Sequence, residues 1–468
     1  MTLAERDHEY RYCQSAARAS HLRGARGDNL HVRAPLRTVA CAGALCLASI
    51  AACSGDSGSK VPTIKIGVDF PLSGDEGQAG TPALNGVRFY VHQHPTLEGF
   101  NIVVSARDDA VKGAHDPGLG ARNIAAFISD PEVKGVVGPF DSSVARAAIS
   151  PANAANLALI SPSASSRCLT KDPFLPAGLN PTRQAIACTA AGMPAPASLR
   201  PTNVNNFFRL VTTDDLQGAA AAEYGYKDLK LLRVAVLSDH EAYGQSLASS
   251  FRARFNKLGG LVVAQLDFAP SPTLDLTAFF NLAKKEQAQA IYFGGVTANN
   301  GCKIRAQMAA VFGAGATTPY LGGSGIAEDP TCVRDAGSNA AGIYATVPAV
   351  NPDELPAAKT VITAFKAEYK NAWDYGAYTI LAYDATAVLY DALGRAIRAA
   401  GGKAPTRPDV VAQLASTKAF QGATGTFGFD AEGDTTLRVV SIYEATSPDP
   451  ASPWRRAGAV DYSAKLPY

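Results

Sequence analysis

The sequence predicts an α/β protein of two similar lobes, each a parallel sheet covered by helices. Three observations predict it. From Val61 onward, short apolar strands alternate with amphipathic helical stretches, the signature of repeated β-α-β-α units. The pattern breaks in a Pro- and Ala-rich stretch and restarts near Leu232, which doubles it. Several strands end in small, hydroxyl-rich turns, the place where open α/β sheets bind ligands.

Taken in order, Thr63–Phe70 reads as a strand and 83–92 as a helix, with Leu84, Val87 and Val91 on one face. Strands follow at 101–106 and 133–137, with a helix at 118–128 between them. Asp108-Asp109 reads as a solvated strand end. In 138–165, GPFDSSVARAAISPANAANLALISPSAS, Gly138-Pro139 turns the chain and Asp141, Ser142 or Ser143 caps a helix running to Ala155. Leu157–Ile160 is the next strand, and 161–165 a second polar turn. A helix N-terminus beside free hydroxyls suits an anion, above all a carboxylate. Residues 169–205 read as an inserted surface loop.

A strand at 207–210 and a helix from Asp214 to about Tyr226 follow this loop, and the pattern then restarts. Strands are expected at 232–237, 261–267, 290–294, 319–322 and 342–347. Helices are expected at 243–258, 274–286 and 302–312 between them. Long helices at 356–369 and 378–400, a short one at 407–414 and a strand at 437–444 complete the reading.

The leader is distinct. Residues 1–33 are polar and Arg-rich, and 38–49 form an apolar core too short to span a bilayer as a mature helix. Ile50-Ala51-Ala52-Cys53 then matches the lipobox of bacterial lipoproteins. This makes 1–52 a signal peptide with an N-terminal extension, Cys53 the lipidated residue and 53–60 a flexible tether to the membrane. Seven of the 43 basic and four of the 41 acidic residues precede Cys53, so the remainder carries 36 and 37, a net charge of −1. That balance offers nothing to nucleic acid. Cys168, Cys188, Cys302 and Cys332 remain for an oxidising compartment, with three connectivities open and nearest-neighbour pairing favoured. No Cys/His cluster suggests a metal, and no cofactor motif is present.

Several segments carry a resemblance. Ile64–Val87 (IKIGVDFPLSGDEGQAGTPALNGV), the 136–165 stretch, NFFRLVTTDDLQGAAAAEY, VAVLSDHEAYGQSLASSF, IYFGGVTANNGCKIRAQMAAVFG, PYLGGSGI and YGAYTILAYDA occur in order. Together they resemble the branched-chain amino acid (Leu/Ile/Val-type) substrate-binding proteins of ABC transporters, over roughly 61–445. The resemblance implies a type I periplasmic-binding-protein fold, two Rossmann-like lobes joined by three crossovers. These should fall near 211–212, 346–348 and 422–425, giving lobes of 61–211 plus 348–422 and 212–347 plus 423–468. It implies an exported protein facing the periplasm or cell exterior, with a small-molecule ligand, amino acid or related solute, and ABC permease and ATPase subunits as partners.

Carried over by resemblance, Ser142 holds the ligand carboxylate, with Ser143 beside it. Ser163, Ala164 and Ser165 hold the amino acid head, and Tyr243 comes from the second lobe. Three positions depart. Ser324 stands where the family has the acid that pairs with the ligand ammonium, Ala79 replaces an aromatic in the first loop, and Val296 or Thr297 replaces another. A buried ammonium needs a partner, so Glu76, Asp215, Glu241 or Glu328 must serve, or the ligand is not a simple α-amino acid. The family's first-lobe disulfide is also absent, with Asp141 where one cysteine would be. An enzyme is disfavoured: Gly322-Gly323-Ser324-Gly325-Ile326 misses the G-x-S-x-G elbow, and no phosphate-binding motif stands at a strand–helix turn. The alternative is a ligand-sensing domain of the same fold.

Overall fold

The computed structural model describes residues 61–313, 318–449 and 454–468. The expected leader, lipobox and Cys53 lie outside the described residues. The first sheet has six strands, in the order Thr96–Leu97, Phe100–Asp108, Thr63–Phe70, Val133–Val137, Ala158–Ser161 and Phe207–Arg209. All pair in parallel except the two-residue edge strand. The central strand buries Ile64, Ile66, Val68 and Phe70 completely, as a strand covered on both faces must. Helices α1 (Gly77–Gln93), α2 (Pro117–Ser129) and α3 (Ser142–Ala154) cover it.

The second sheet has seven strands. Leu261–Asp267, Arg233–Ser238, Ala290–Gly294, Tyr320–Gly322 and Ile343–Val347 are parallel, and Val439–Ala445 and Trp454–Asp461 close the edge antiparallel. Its helices are α4 (Asp214–Lys227), α5 (Ala242–Lys257), α6 (Thr277–Lys285), α7 (Gly301–Phe312) and α8 (Pro330–Ala336). Then α9 (Pro356–Glu368), α10 (Thr379–Ala399) and α11 (Arg407–Ala415) return to the first lobe. Two glycines allow close helix crossings there. A Cβ at Gly86 of α1 would meet the Thr379 carbonyl oxygen at 2.1 Å, and one at Gly218 of α4 the Phe251 nitrogen at 2.7 Å. Among the described residues no helix is long and apolar enough to cross a membrane.

The chain passes between the sheets three times. The first two passages are tied together, the Thr212 N–H donating to the Pro348 carbonyl at 3.0 Å. The third lies further along than the expected 422–425. Phe429 still packs on Phe208, ring centroids 5.0 Å apart, and Asp434 bridges to Arg209, so the chain stays with the first sheet to Thr435.

Other differences are local. Helix α1 begins at Gly77 rather than Ala83, because the Gly-rich loop is itself helical from the Glu76 carbonyl onward. Helix α8 and the strand at 454–461 are additions. The Asp329-Pro330 start of α8, with Asp329 accepting from the Thr331 N–H at 2.7 Å, was a readable cap. Asp109 is not a solvated strand end but fully buried. Both nearest-neighbour disulfides are present. Cys168–Cys188 staples the 169–205 loop, and Cys302–Cys332 joins α7 to α8.

Candidate functional site

The site starts from two strand ends of the first sheet. After Val137 the chain turns into α3, and after Ser161 into the 162–166 turn, so two polar loops lie side by side. Serine hydroxyls knit them together. Ser161 Oγ donates to the Pro139 carbonyl at 2.6 Å and accepts from the Ala164 N–H at 2.8 Å. Ser163 Oγ donates to the Phe140 carbonyl at 2.7 Å, and Ser142 Oγ accepts from the Ser166 N–H at 3.1 Å. Ser142 therefore keeps its O–H to offer, whereas Ser163 offers only lone pairs.

These loops face the second lobe across a cavity. Ala79, Ser142 and Ser163 line it on one side, and Tyr243, Val296 and Ser324 on the other, with Phe140 and Tyr378 adding aromatic wall. Tyr243 Oη accepts from the Gly325 N–H and lies 3.2 Å from Ser324 Oγ, which fixes the ring against that wall.

Three expected residues do not line the cavity. Ser143 lines a small side chamber behind it, with His115, Asp141, Asp239 and Glu241. Ala164 and Ser165 turn inward. The Ala164 carbonyl accepts from buried Arg209 at 3.1 Å, and the Ser165 carbonyl accepts from the Asp214 N–H at 3.0 Å. Arg209 is the reason: its guanidinium also takes the Ser166 carbonyl at 2.8 Å and Thr170 Oγ1, and pairs with Asp434 at 2.7 Å. The loop carbonyls must point at this buried cation to satisfy it.

Of the acids offered for the missing ammonium partner, Glu76 and Glu328 line the cavity, together with Asp75, Asp141 and Asp329. Glu241 lines the side chamber. Asp215 is elsewhere, buried and held by Arg167 at 2.8 Å and the Tyr468 hydroxyl at 2.9 Å. Glu76 is engaged by His115, accepting from its backbone N–H at 2.5 Å and lying 2.9 Å from its Nδ1. His115 Nδ1 is also 3.6 Å from Asp141. Burial opposes charge on this imidazole, yet Asp141 and Glu76 outweigh it and hold its pKa well above the ordinary value. Burial pushes Asp141 up to about 7 against the pull of His115, and pushes Asp109, crowded by Asp69 and Asp141, up to about 10.

Donor atoms of Glu76, His115 and Asp141 all lie within 4.8 Å of one another, a metal-capable group that the sequence did not connect. Its imidazole Nδ1 is already spent on Glu76. Asp141, which faces His115 here, stands where the resemblance would have placed one cysteine of a disulfide.

Two sheets joined by three connections around a shared polar cavity define a two-lobed solute-binding protein. Comparison with known proteins agrees. The chain belongs to the periplasmic binding protein family, whose sequence profile matches residues 63–449. The Leu/Ile/Val-binding protein homolog 3 of Brucella melitensis is 28% identical over 399 residues, 85% of this chain and 95% of that one. A leucine-binding protein of Thermotoga maritima superposes with a TM-score of 0.68 at 23% identity, covering 85% of this chain and 99% of that chain. An ABC-transporter solute-binding protein of R. palustris, solved with 4-hydroxybenzoate, superposes at 0.67 with 17% identity, covering 85% and 97%. These two structures speak to fold alone.

Proposed function

We propose that the protein is an extracytoplasmic lipoprotein that captures a small solute between its lobes. The solute is a branched-chain amino acid or a related carboxylate or amide, and it is passed to the permease and ATPase subunits of an ABC importer. The observation that carries this reading is a single cavity walled by Ser142 and Ser163 from one lobe and Tyr243 and Ser324 from the other. A solute spanning both walls binds the closed form better than the open one, which is how a ligand drives closure. The Leu/Ile/Val-binding relatives and the importer components of the family support the solute class and the partners. Ser142, at the N-terminus of α3 with a free O–H, takes the carboxylate end.

Calorimetry on Ser142→Ala and Tyr243→Ala tests this. A charge-assisted bond of about 1.5–3 kcal/mol makes Ser142→Ala weaken binding roughly tenfold to a hundredfold. Tyr243→Ala should weaken ligand-driven closure more than it alters the empty protein. Unchanged affinity in both variants would place the site elsewhere.

A further inference from the structure

The charges facing the cavity are lopsided. Asp75, Glu76, Asp141, Glu328 and Asp329 line it, and no Lys or Arg among the described residues does. Three of these acids are accounted for. Asp75 is exposed at the rim, Glu76 is engaged by His115, and Asp329 caps α8. Two are not. Asp141 Oδ2 is buried without a hydrogen-bond partner, and the Glu328 carboxylate makes no hydrogen bond or ion pair among the described residues. They stand on opposite lobes.

The hydroxyls are divided: Ser142 keeps an O–H to offer, and the others do not add a donor to the cavity. Ser163 has spent its hydrogen on the Phe140 carbonyl, so it presents only acceptor lone pairs to the cavity. Ser143 is 3% exposed, and its Oγ has no partner. It opens into the side chamber beside Asp141, Asp239 and Glu241, a space of about one water molecule. Desolvated carboxylates and lone pairs facing one space call for a donor-rich cation.

We propose, resting on the capture of a solute between the lobes but replacing the branched-chain solute class given above, that the solute is a small organic cation, a basic amino acid or a diamine. Its ammonium or guanidinium group is met by Asp141 from the first lobe and Glu328 from the second. These two carboxylates take over the role left open by Ser324. In a basic amino acid, Ser142 still serves the carboxylate end. Empty, the two acids hold protons readily, since burial pushes both up to about 7. The groups around Asp141 are His115, Glu76, Glu241, Asp239, Asp109 and Asp69, and Asp353 stands near Glu328. All but His115 are acids that reinforce the bias. Cation binding therefore expels protons, and affinity should fall as pH drops from about 8 to about 6.

The test is calorimetry on the exported chain with L-lysine, L-arginine and 1,4-diaminobutane against L-leucine and 4-hydroxybenzoate. At least one cation should bind tenfold or more tightly than leucine, with a heat that changes with buffer ionisation enthalpy. Asp141→Asn and, independently, Glu328→Gln should each weaken that cation about tenfold or more. Binding of leucine or 4-hydroxybenzoate with all three cations silent would overturn the charge assignment while leaving the solute-binding reading intact. Cation binding indifferent to both variants would overturn the assigned residues. Silence across the whole panel would overturn the inference and count against the solute-binding reading too.

Discussion

Replacing Asp109 with Asn should stabilise the unliganded protein at neutral and alkaline pH and hardly affect it in mild acid. Asp109 is fully buried, and neither carboxylate oxygen has a hydrogen-bond partner among the described residues. Burial first, then the charges of Asp69 and Asp141, push its pKa up to about 10 from an ordinary 3.8. The native state thus keeps a proton that the unfolded chain has released above pH 3.8. Stability falls as pH rises from there, because the folded form binds more protons. Each pH unit is worth about 1.4 kcal/mol, so the cost at about pH 7.5 is at most roughly 5 kcal/mol. Asp69 is itself raised to about 7 and competes for the same protons, so removing one carboxyl recovers only part of this, about 2 kcal/mol. Urea denaturation of both proteins at about pH 5 and about pH 8 gives the comparison. The wild type should lose stability between the two, and Asp109→Asn should lose clearly less. An equal loss in the variant at both pH values would mean that Asp109 is ionised and usefully bonded, and the argument would fail.

Three further outcomes are expected. Asp434→Ala strands the buried Arg209 guanidinium that holds the Ala164 and Ser166 carbonyls, and should cost about 3–5 kcal/mol in urea denaturation; a loss under about 1 kcal/mol would show the pair to be dispensable. Converting both Cys302 and Cys332 to Ala opens a bridge with a sequence separation of 30 and should cost about 3–4 kcal/mol, with free-thiol titration of the folded wild type as the control. Cys53→Ala should leave the precursor uncleaved or release the protein from the membrane fraction; normal processing with full membrane retention would remove the lipid-anchor reading.

Much of the architecture was legible in the chain itself. Strand and helix periodicities are local, so the strands at 133–137, 261–267 and 290–294 were readable to the residue, and the helix ends to within about three, except the start of α1. The hydroxyl-rich turns after Val137 and Ile160 were visible as the polar end of the sheet, and Ser142, Ser163, Tyr243 and Ser324 line one cavity there. Nearest-neighbour pairing of the four cysteines follows a chain too short between partners to wander far. Where a buried charge finds its partner was not legible. Arg209 pairs with an acid 225 positions away and holds the Ala164 and Ser166 carbonyls on the side away from the cavity, although nothing near 164 announces it. Asp215 is claimed by Tyr468, 253 positions on, which removes it from the acids available to a ligand. Glu76, His115 and Asp141 form one electrostatic group only because three loops converge beside the cleft. A run of residues carries its own hydrogen-bond ladder and apolar face, so local pattern decides it. The energy of a desolvated charge is set by whatever the fold brings within a few ångströms, and only the tertiary structure decides that.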